Sequence, residues 1–210
     1  MEILQQISES LQKGEHDKVA ELTRQAIEAD LPAAVILNDG LMAGMDVVGQ
    51  RFGAHEIFLP ELLLAARAMN AGIDLLKPLF LGGEMPTEGK VVIGTAKGDL
   101  HDIGKNLVGI MLKGAGYEVI DVGNDVPADV FVDTAEAEGA SVVGISALLT
   151  TTMTGMKDVV DLVRERGLQD KVKVIVGGAP LSRDFADEIG ADAYGYDAGN
   201  AVEIVKELLG

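Results

Sequence analysis

The chain has no cysteine among its 210 residues, so it forms no disulfide, offers no thiolate to a metal and carries no nucleophilic thiol. Such a sequence suits a reducing compartment, and a cytoplasmic location is the expectation. Basic residues are scarce: 17 Lys and Arg stand against 34 Asp and Glu, a formal net charge of −17. Nucleic acids and anionic membrane surfaces both need Lys and Arg to neutralise phosphate, so this balance argues against either partner. No long apolar run is present. The most apolar stretch, Ile57 to Met69, holds Glu61 and Arg67 and is too short to span a bilayer. The opening Met1-Glu-Ile-Leu-Gln-Gln lacks the basic start and apolar centre of a signal peptide, and none is expected.

What is present is 48% apolar, enough for a sizeable core in one large or two small domains. Up to about Leu81 the pattern reads as helix only. Ile3, Leu4, Ile7 and Leu11 recur at helical spacing, and Gly14 ends the run. Val19, Leu22, Ala26 and Ile27 mark a second helix. Pro32 suits the first turn of a third, which runs through Leu37, Leu41, Met45 and Val48. Pro60 opens a fourth, with Leu63, Leu64, Ala66, Met69, Ile73 and Leu76. Four helices with short joints predict a small antiparallel bundle over residues 1–84. Glycine, proline and charge without any period mark Leu81 to Lys90, centred on residues 82–90, as a linker.

From Lys90 the pattern changes. β-branched runs appear at Val91–Thr95, Glu118–Val122, Ser141–Ser146, Val172–Val176 and Ala191–Tyr194. Helix-like stretches separate them: Lys105–Gly114, Ala128–Glu138, Met153–Glu165, Ser182–Ile189 and Ala198–Leu209. This alternation predicts an α/β domain over residues 90–210, a Rossmann-like, flavodoxin-like parallel sheet of five strands. Its ligand crevice is expected beside the first strand.

At the end of that strand lies Gly94-Thr-Ala-Lys-Gly-Asp-Leu-His-Asp-Ile-Gly-Lys-Asn106. It holds His101, one of only three histidines; His16 and His55 sit in polar contexts that suggest solvated side chains. Asp99 and Asp102 flank His101, and Gly98 and Gly104 would let a bulky ligand approach the backbone. A P-loop is a rival reading. Its spacing fails, because five residues rather than four separate Gly98 from Gly104, and Asn106 replaces the Ser or Thr that would hold magnesium. A zinc site fits poorly: one histidine, two carboxylates, no cysteine and no second histidine at helical spacing.

Asp99-Leu-His101-Asp-Ile-Gly104 resembles the DxHxxG signature of cobalamin-binding proteins. Ser146-Ala-Leu148 and Gly177-Gly178 follow at distances similar to that family's SxL and GG elements, each at the end of a predicted strand. The resemblance extends over the bundle. Leu41-Met-Ala-Gly-Met-Asp-Val-Val-Gly-Gln-Arg-Phe52, Glu56-Ile-Phe-Leu-Pro-Glu61 and Ala65-Ala-Arg-Ala-Met69 look like the helical cap of methionine synthase's cobalamin region. They are more similar still to the small corrinoid proteins of methylotrophic methanogens and acetogens.

The resemblance implies a cobalamin (methylcobalamin or a related corrinoid) with His101 replacing the dimethylbenzimidazole as lower ligand to cobalt. It implies Asp99 as acceptor for the other ring N–H, and the hydroxyl of Thr152, where methionine synthase has Ser, as the next link of a relay that follows the metal's redox change. Around the cofactor it places Leu100, Asp102, Ile103 and Gly104, with Gly94, Ser146, Leu148, Thr150, Gly177 and Gly178 around the nucleotide tail. Tyr196, Asp197 and Ala198 would close the tail pocket, and Phe52, Leu59 and Leu62 would shield the upper face. The implied function is a methyl carrier, itself non-catalytic, between a substrate-specific methyltransferase and a second methyltransferase serving tetrahydrofolate or coenzyme M, with a reductive activase as third partner. A cobalamin-dependent sensor is the alternative reading, although this chain has no basic DNA-binding region. The small subunit of an adenosylcobalamin mutase shares the Asp-His-Gly loop but generally lacks the helical cap.

Overall fold

Apolar residues in the first eighty positions return every three or four residues, and those of the last hundred and twenty come in short β-branched bursts. In the computed structural model the former become a four-helix bundle and the latter a five-stranded parallel sheet with helices. The structure describes residues 2–80 and 86–210. It divides into two compact units, Met1–Pro86 with Gly114–Gly116 and Thr87–Lys113 with Tyr117–Gly210.

The bundle is built from α1 (Glu2–Gln12), α2 (His16–Glu28), a continuous helical run 33–53 and α5 (Leu59–Leu76), which ends in a 3-10 turn, Lys77–Leu79. Leu4, Ile7 and Leu11 form the buried stripe of α1, and Leu62, Ala65 and Met69 that of α5. At the start of α5, Pro60 occupies the first turn and Glu61 accepts the backbone N–H of Phe58 at 3.2 Å.

The third helix of the bundle is not regular. It comprises α3 (Ala33–Val35), a π-helical segment (Ile36–Met42) and α4 (Ala43–Gly53). Its buried positions explain why. Ile36, Gly40, Gly44 and Val48, with Leu37, Leu41 and Met45, recur every four residues. Four residues overshoot a 3.6-residue turn by roughly 40° each time, so a regular helix would rotate this stripe out of the core. A wider π turn keeps it facing inward.

In the second unit the strands are β1 (Lys90–Thr95), β2 (Glu118–Asp121), β3 (Val142–Ser146), β4 (Lys173–Gly177) and β5 (Ala193–Gly195). All neighbours are parallel, in the order β2-β1-β3-β4-β5, the flavodoxin-like order. The chain leaves β1 towards β2 on one side and β3 towards β4 on the other, so a crevice opens above the carboxyl ends of β1 and β3. The register aligns those ends in one row: Thr95, Ser146, Gly177 and Gly195. The connecting helices are α6 (Ile103–Gly114), α7 (Ala128–Glu138), α8 (Thr150–Met153), α9 (Met156–Glu165), α10 (Arg183–Ile189) and α11 (Ala198–Leu209). Val92, Val143 and Val174 pack beneath Phe131 of α7 and Val159 and Val160 of α9 in a continuous core.

Two expectations need adjustment. The single helix expected over Met153–Glu165 is two, α8 and α9, broken at Thr154-Gly155. Consecutive threonines and a glycine are weak helix formers, and Thr152 is engaged elsewhere. Of the expected linker, residues 81–85 lie outside the described residues. Further on, Thr87 Oγ1 and the Gly89 carbonyl both accept the N–H of Glu118, at 3.0 and 2.9 Å, tying this stretch to the start of β2. Among the described residues no helix is long and apolar enough to cross a membrane.

Candidate functional site

The crevice loop hangs on one carboxylate. Asp99 is fully buried and accepts five hydrogen bonds. Oδ1 receives the His101 backbone N–H at 3.1 Å and its ring Nδ1–H at 2.7 Å. Oδ2 receives the Thr152 hydroxyl at 2.6 Å, the Leu148 N–H at 2.8 Å and the Leu149 N–H at 3.3 Å. Burial alone pushes an aspartate towards its neutral form, and it is the largest single influence here. The hydrogen bonds from Thr152, Leu148 and His101 together outweigh it and hold the carboxyl well below the usual carboxylate range. Asp99 is therefore charged at neutral pH and can only accept.

That charge decides the state of His101. An acceptor at Nδ1 places the ring proton there, which leaves Nε2 with a free lone pair. The imidazole is 53% exposed above its buried partner. It is also held through the main chain, since the Thr95 hydroxyl donates to the His101 carbonyl at 3.2 Å. The result is one fixed, outward nitrogen donor bordered by exposed apolar side chains: Leu100, Ile103, Leu148 and Leu149. Among the described residues no three His, Asp or Glu side chains gather into a metal cage of their own. His16 lies 3.1 Å from Asp17 on the bundle, and His55 is exposed in a turn at φ 59°.

Beside the loop, within the same unit, a cavity of about 360 Å³ runs down between the sheet, α6 and the start of α11. Its floor is the register row Ile93, Gly144 and Ile175, and Leu107 and Val108 form one wall. Ser146, Gly177, Gly178, Tyr196, Asp197 and Ala198, all expected around a tail, line it, and so does Gly104 of the His101 loop. A side chain at Gly104 would meet nothing within 4 Å and would project into open space. Gly178 has no alternative: its φ is 134°, and a Cβ would lie 1.9 Å from the Ala147 carbonyl oxygen. Asp197 caps α11, accepting the Asn200 N–H at 2.8 Å.

Other expected positions fall elsewhere. Gly94 faces away from the cavity; a Cβ there would sit 2.5 Å from Phe131 and 2.7 Å from Val122, so its missing side chain is a packing requirement of the opposite face. Leu148 contributes its N–H, Thr150 is exposed at the start of α8, and the Asp102 carbonyl accepts the Asn106 N–H in the first turn of α6. In the bundle, Phe52 and Leu59 flank the turn between α4 and α5, half-buried and exposed respectively, whereas Leu62 is fully buried in the bundle core. Gly144 and Lys105 are among the cavity residues that escaped sequence reasoning. Gly144 sits mid-strand, where a glycine reads as a weak β-former. Lys105, buried, is paired with Asp121 and bonded to Asn106 at 2.8 Å; its charge in a helix start gave no hint of burial.

Comparison with known proteins bears on this arrangement. Residues 89–205 match the family described as B12 binding domain, and residues 3–77 match a second family of the same description. The chain is 42% identical to a corrinoid protein of Desulfitobacterium hafniense (strain Y51), over all of this chain and 99% of that protein. It is 46% identical to the dimethylamine corrinoid protein of Methanosarcina barkeri, over 99% and 98%. The chain belongs to the corrinoid proteins. Among solved structures it is similar to a chain of the methanol:cobalamin methyltransferase complex from Methanosarcina barkeri, with 36% identity and a TM-score of 0.91, over 99% of this chain and 80% of that one.

The cofactor of this corrinoid protein is thus cobalamin or a relative, and the residues present fit it. Held with its own base displaced, such a group would need one nitrogen donor presented outward, an apolar border, and a narrow slot free of side chains for its tail. The His101 Nε2, the leucine and isoleucine rim, and the cavity floored by Gly144 are features of those three kinds.

Proposed function

We propose that this protein is the methyl carrier of a corrinoid-dependent methyltransferase system and holds its cobalamin with the benzimidazole displaced and His101 in its place. The observation that carries the reading is the His101 Nδ1–H bond to a buried, charged Asp99, which keeps Nε2 available as a ligand. When bound, the cofactor supplies a cobalt centre that takes up and gives away a methyl group. The protein's part is to bind, orient and protect. Asp99 fixes the imidazole, and Thr152 and the N–H groups of Leu148 and Leu149 fix Asp99. When the imidazole is not a ligand, Nε2 can accept a proton, and the resulting cation faces the Asp99 carboxylate. The cavity beside α6 receives the nucleotide tail, with Ser146 among its polar groups and Gly144, Gly177 and Gly178 leaving room.

Phe52 and Leu59 would shield the corrinoid, Leu62 serving the bundle core instead, and residues 82–90 join a cap domain, 1–84, to the cofactor domain, 90–210. The partners are a substrate-specific methyltransferase, a second methyltransferase to tetrahydrofolate or coenzyme M, and a reductive activase, in the cytoplasm. Similarity to dimethylamine corrinoid proteins supports a methylamine donor. Methyl transfer from dimethylamine, assayed with a dimethylamine methyltransferase, tests the carrier role. The ligand assignment is tested by His101→Ala. The variant should bind cobalamin with an absorption spectrum typical of a cofactor with neither imidazole nor benzimidazole on the metal. An unchanged spectrum contradicts the assignment.

A further inference from the structure

A second loop, residues 122–127, carries none of the three motifs yet grips the His101 loop from the side. It is laid against β1 by backbone bonds: Val122 N–H to the Ile93 carbonyl at 2.9 Å, Thr95 N–H to that of Gly123 at 2.9 Å, and Val126 N–H to that of Thr95 at 3.0 Å. At its tip Asp125 has φ 54°, left-handed backbone that an aspartate adopts with strain and a glycine would adopt freely. Opposite it stands Gly98, also left-handed at φ 84°. The two turns interlock. Asp125 Oδ1 accepts the Gly98 N–H at 2.6 Å, and the Asp125 N–H donates to the Asp99 carbonyl at 2.9 Å.

Asp125 therefore holds the peptide units on either side of Gly98 and Asp99, the residue that orients the imidazole. Its strain has a reason: only a side chain with an acceptor closes the bond to Gly98, and glycine, which fits the backbone better, has none. We propose that Asp125 is a positioning residue that sets how firmly His101 holds the metal of a bound corrinoid, acting through the Gly98–Asp99 segment. The proposal rests on the reading of His101 as lower ligand. It concerns orientation at a fixed pH and involves no titration.

The test uses the full-length protein loaded with cobalamin and reduced to cobalt(II), with nitrogen splitting read by electron paramagnetic resonance. Protein made with ordinary and with 15N-labelled histidine is compared for wild type, Asp125→Asn, Asp125→Ala and Asp125→Gly. Wild type should change from three-line to two-line splitting on labelling. Asp125→Ala and Asp125→Gly should lower the ratio of histidine-ligated to unligated cofactor about tenfold, the low end for residues that support a ligand from behind. Asp125→Asn keeps the acceptor oxygen and should stay within about twofold of wild type. A fully ligated Asp125→Ala, whether or not its melting temperature falls, overturns the proposal, because it reduces Asp125 to a fold-keeping role. So does an Asp125→Gly that matches wild type, since strain rather than the hydrogen bond would then be what matters. A wild-type spectrum indifferent to the label overturns the ligand assignment itself, and the proposal with it.

Discussion

Two regions of the α/β unit lie side by side and are built on opposite principles. The His101 pedestal is polar and over-determined: one buried carboxylate, five donors and an imidazole locked by them. The cavity next to it is apolar and defined by missing side chains, with Gly144 between Ile93 and Ile175 and no charged group on its floor. Directional bonds need particular atoms at particular places, so few substitutions are tolerated on the pedestal. A void needs only the absence of bulk, so it can be filled without harming the fold. The pedestal should accordingly answer to mutation through stability and ligation together, and the cavity floor at Gly144 through affinity alone.

The largest effect belongs to Asp99→Ala. It takes the acceptor from two backbone N–H groups, leaves the Thr152 hydroxyl only the Leu149 carbonyl at 3.0 Å and frees the His101 ring, and should cost about 2–3 kcal/mol of stability, read by urea unfolding. Asp99→Asn removes the charge at nearly constant shape and adds a sign to the comparison. The Asp99 pKa is depressed in the fold, so its contribution is complete above the unfolded value of about 4 and is lost as pH falls through the lower folded value. The stability gap between wild type and Asp99→Asn should be flat above about pH 5. Below about pH 4 it should shrink by up to about 1.4 kcal/mol per pH unit. A gap that widens in acid would mean the carboxyl is not held ionised.

The cavity should break the other way. Gly144→Val adds bulk beside Ile93, at ordinary contact distance for its Cβ, and puts a good strand former in mid-strand. Folding stability should hold or rise by about 0.5 kcal/mol. Retention of cobalamin in equilibrium dialysis should fall at least about tenfold, because a filled slot expels the tail. Loss of stability with unchanged retention would place the tail elsewhere. The smallest effect is that of Thr152→Val, which deletes one hydroxyl donor to a carboxylate: about 1.5 kcal/mol, restored by Thr152→Ser.

The same contrast explains what could be read without coordinates. Asp99 and His101, two residues apart at a strand end, advertise each other, because a carboxylate and an imidazole that close in chain will meet. Strand order followed from the alternation of five β-branched runs with helix-like stretches, and α7 and α11 keep the expected bounds, Ala128–Glu138 and Ala198–Leu209. The cavity was harder. Gly94 and Gly144 are both strand glycines in an apolar context, and only the facing of each side chain separates the one under Phe131 from the one on the cavity floor. Strand alternation settles facing only when the register is known. The π-helical turn at Ile36–Met42 was hidden because a four-residue spacing reads as helix, and its drift from 3.6 becomes visible only when burial is seen. Asp125 was invisible because its side chain finds Gly98 only through a backbone at φ 54° and a turn 27 residues away, neither of which leaves a trace in composition.

The most direct test is a crystal structure of the protein with cobalamin bound. The account predicts His101 Nε2 coordinated to cobalt, Nδ1 still on Asp99, and the dimethylbenzimidazole lying in the cavity over Gly144. A benzimidazole nitrogen remaining on the metal, with the cavity empty and His101 turned away, would contradict it.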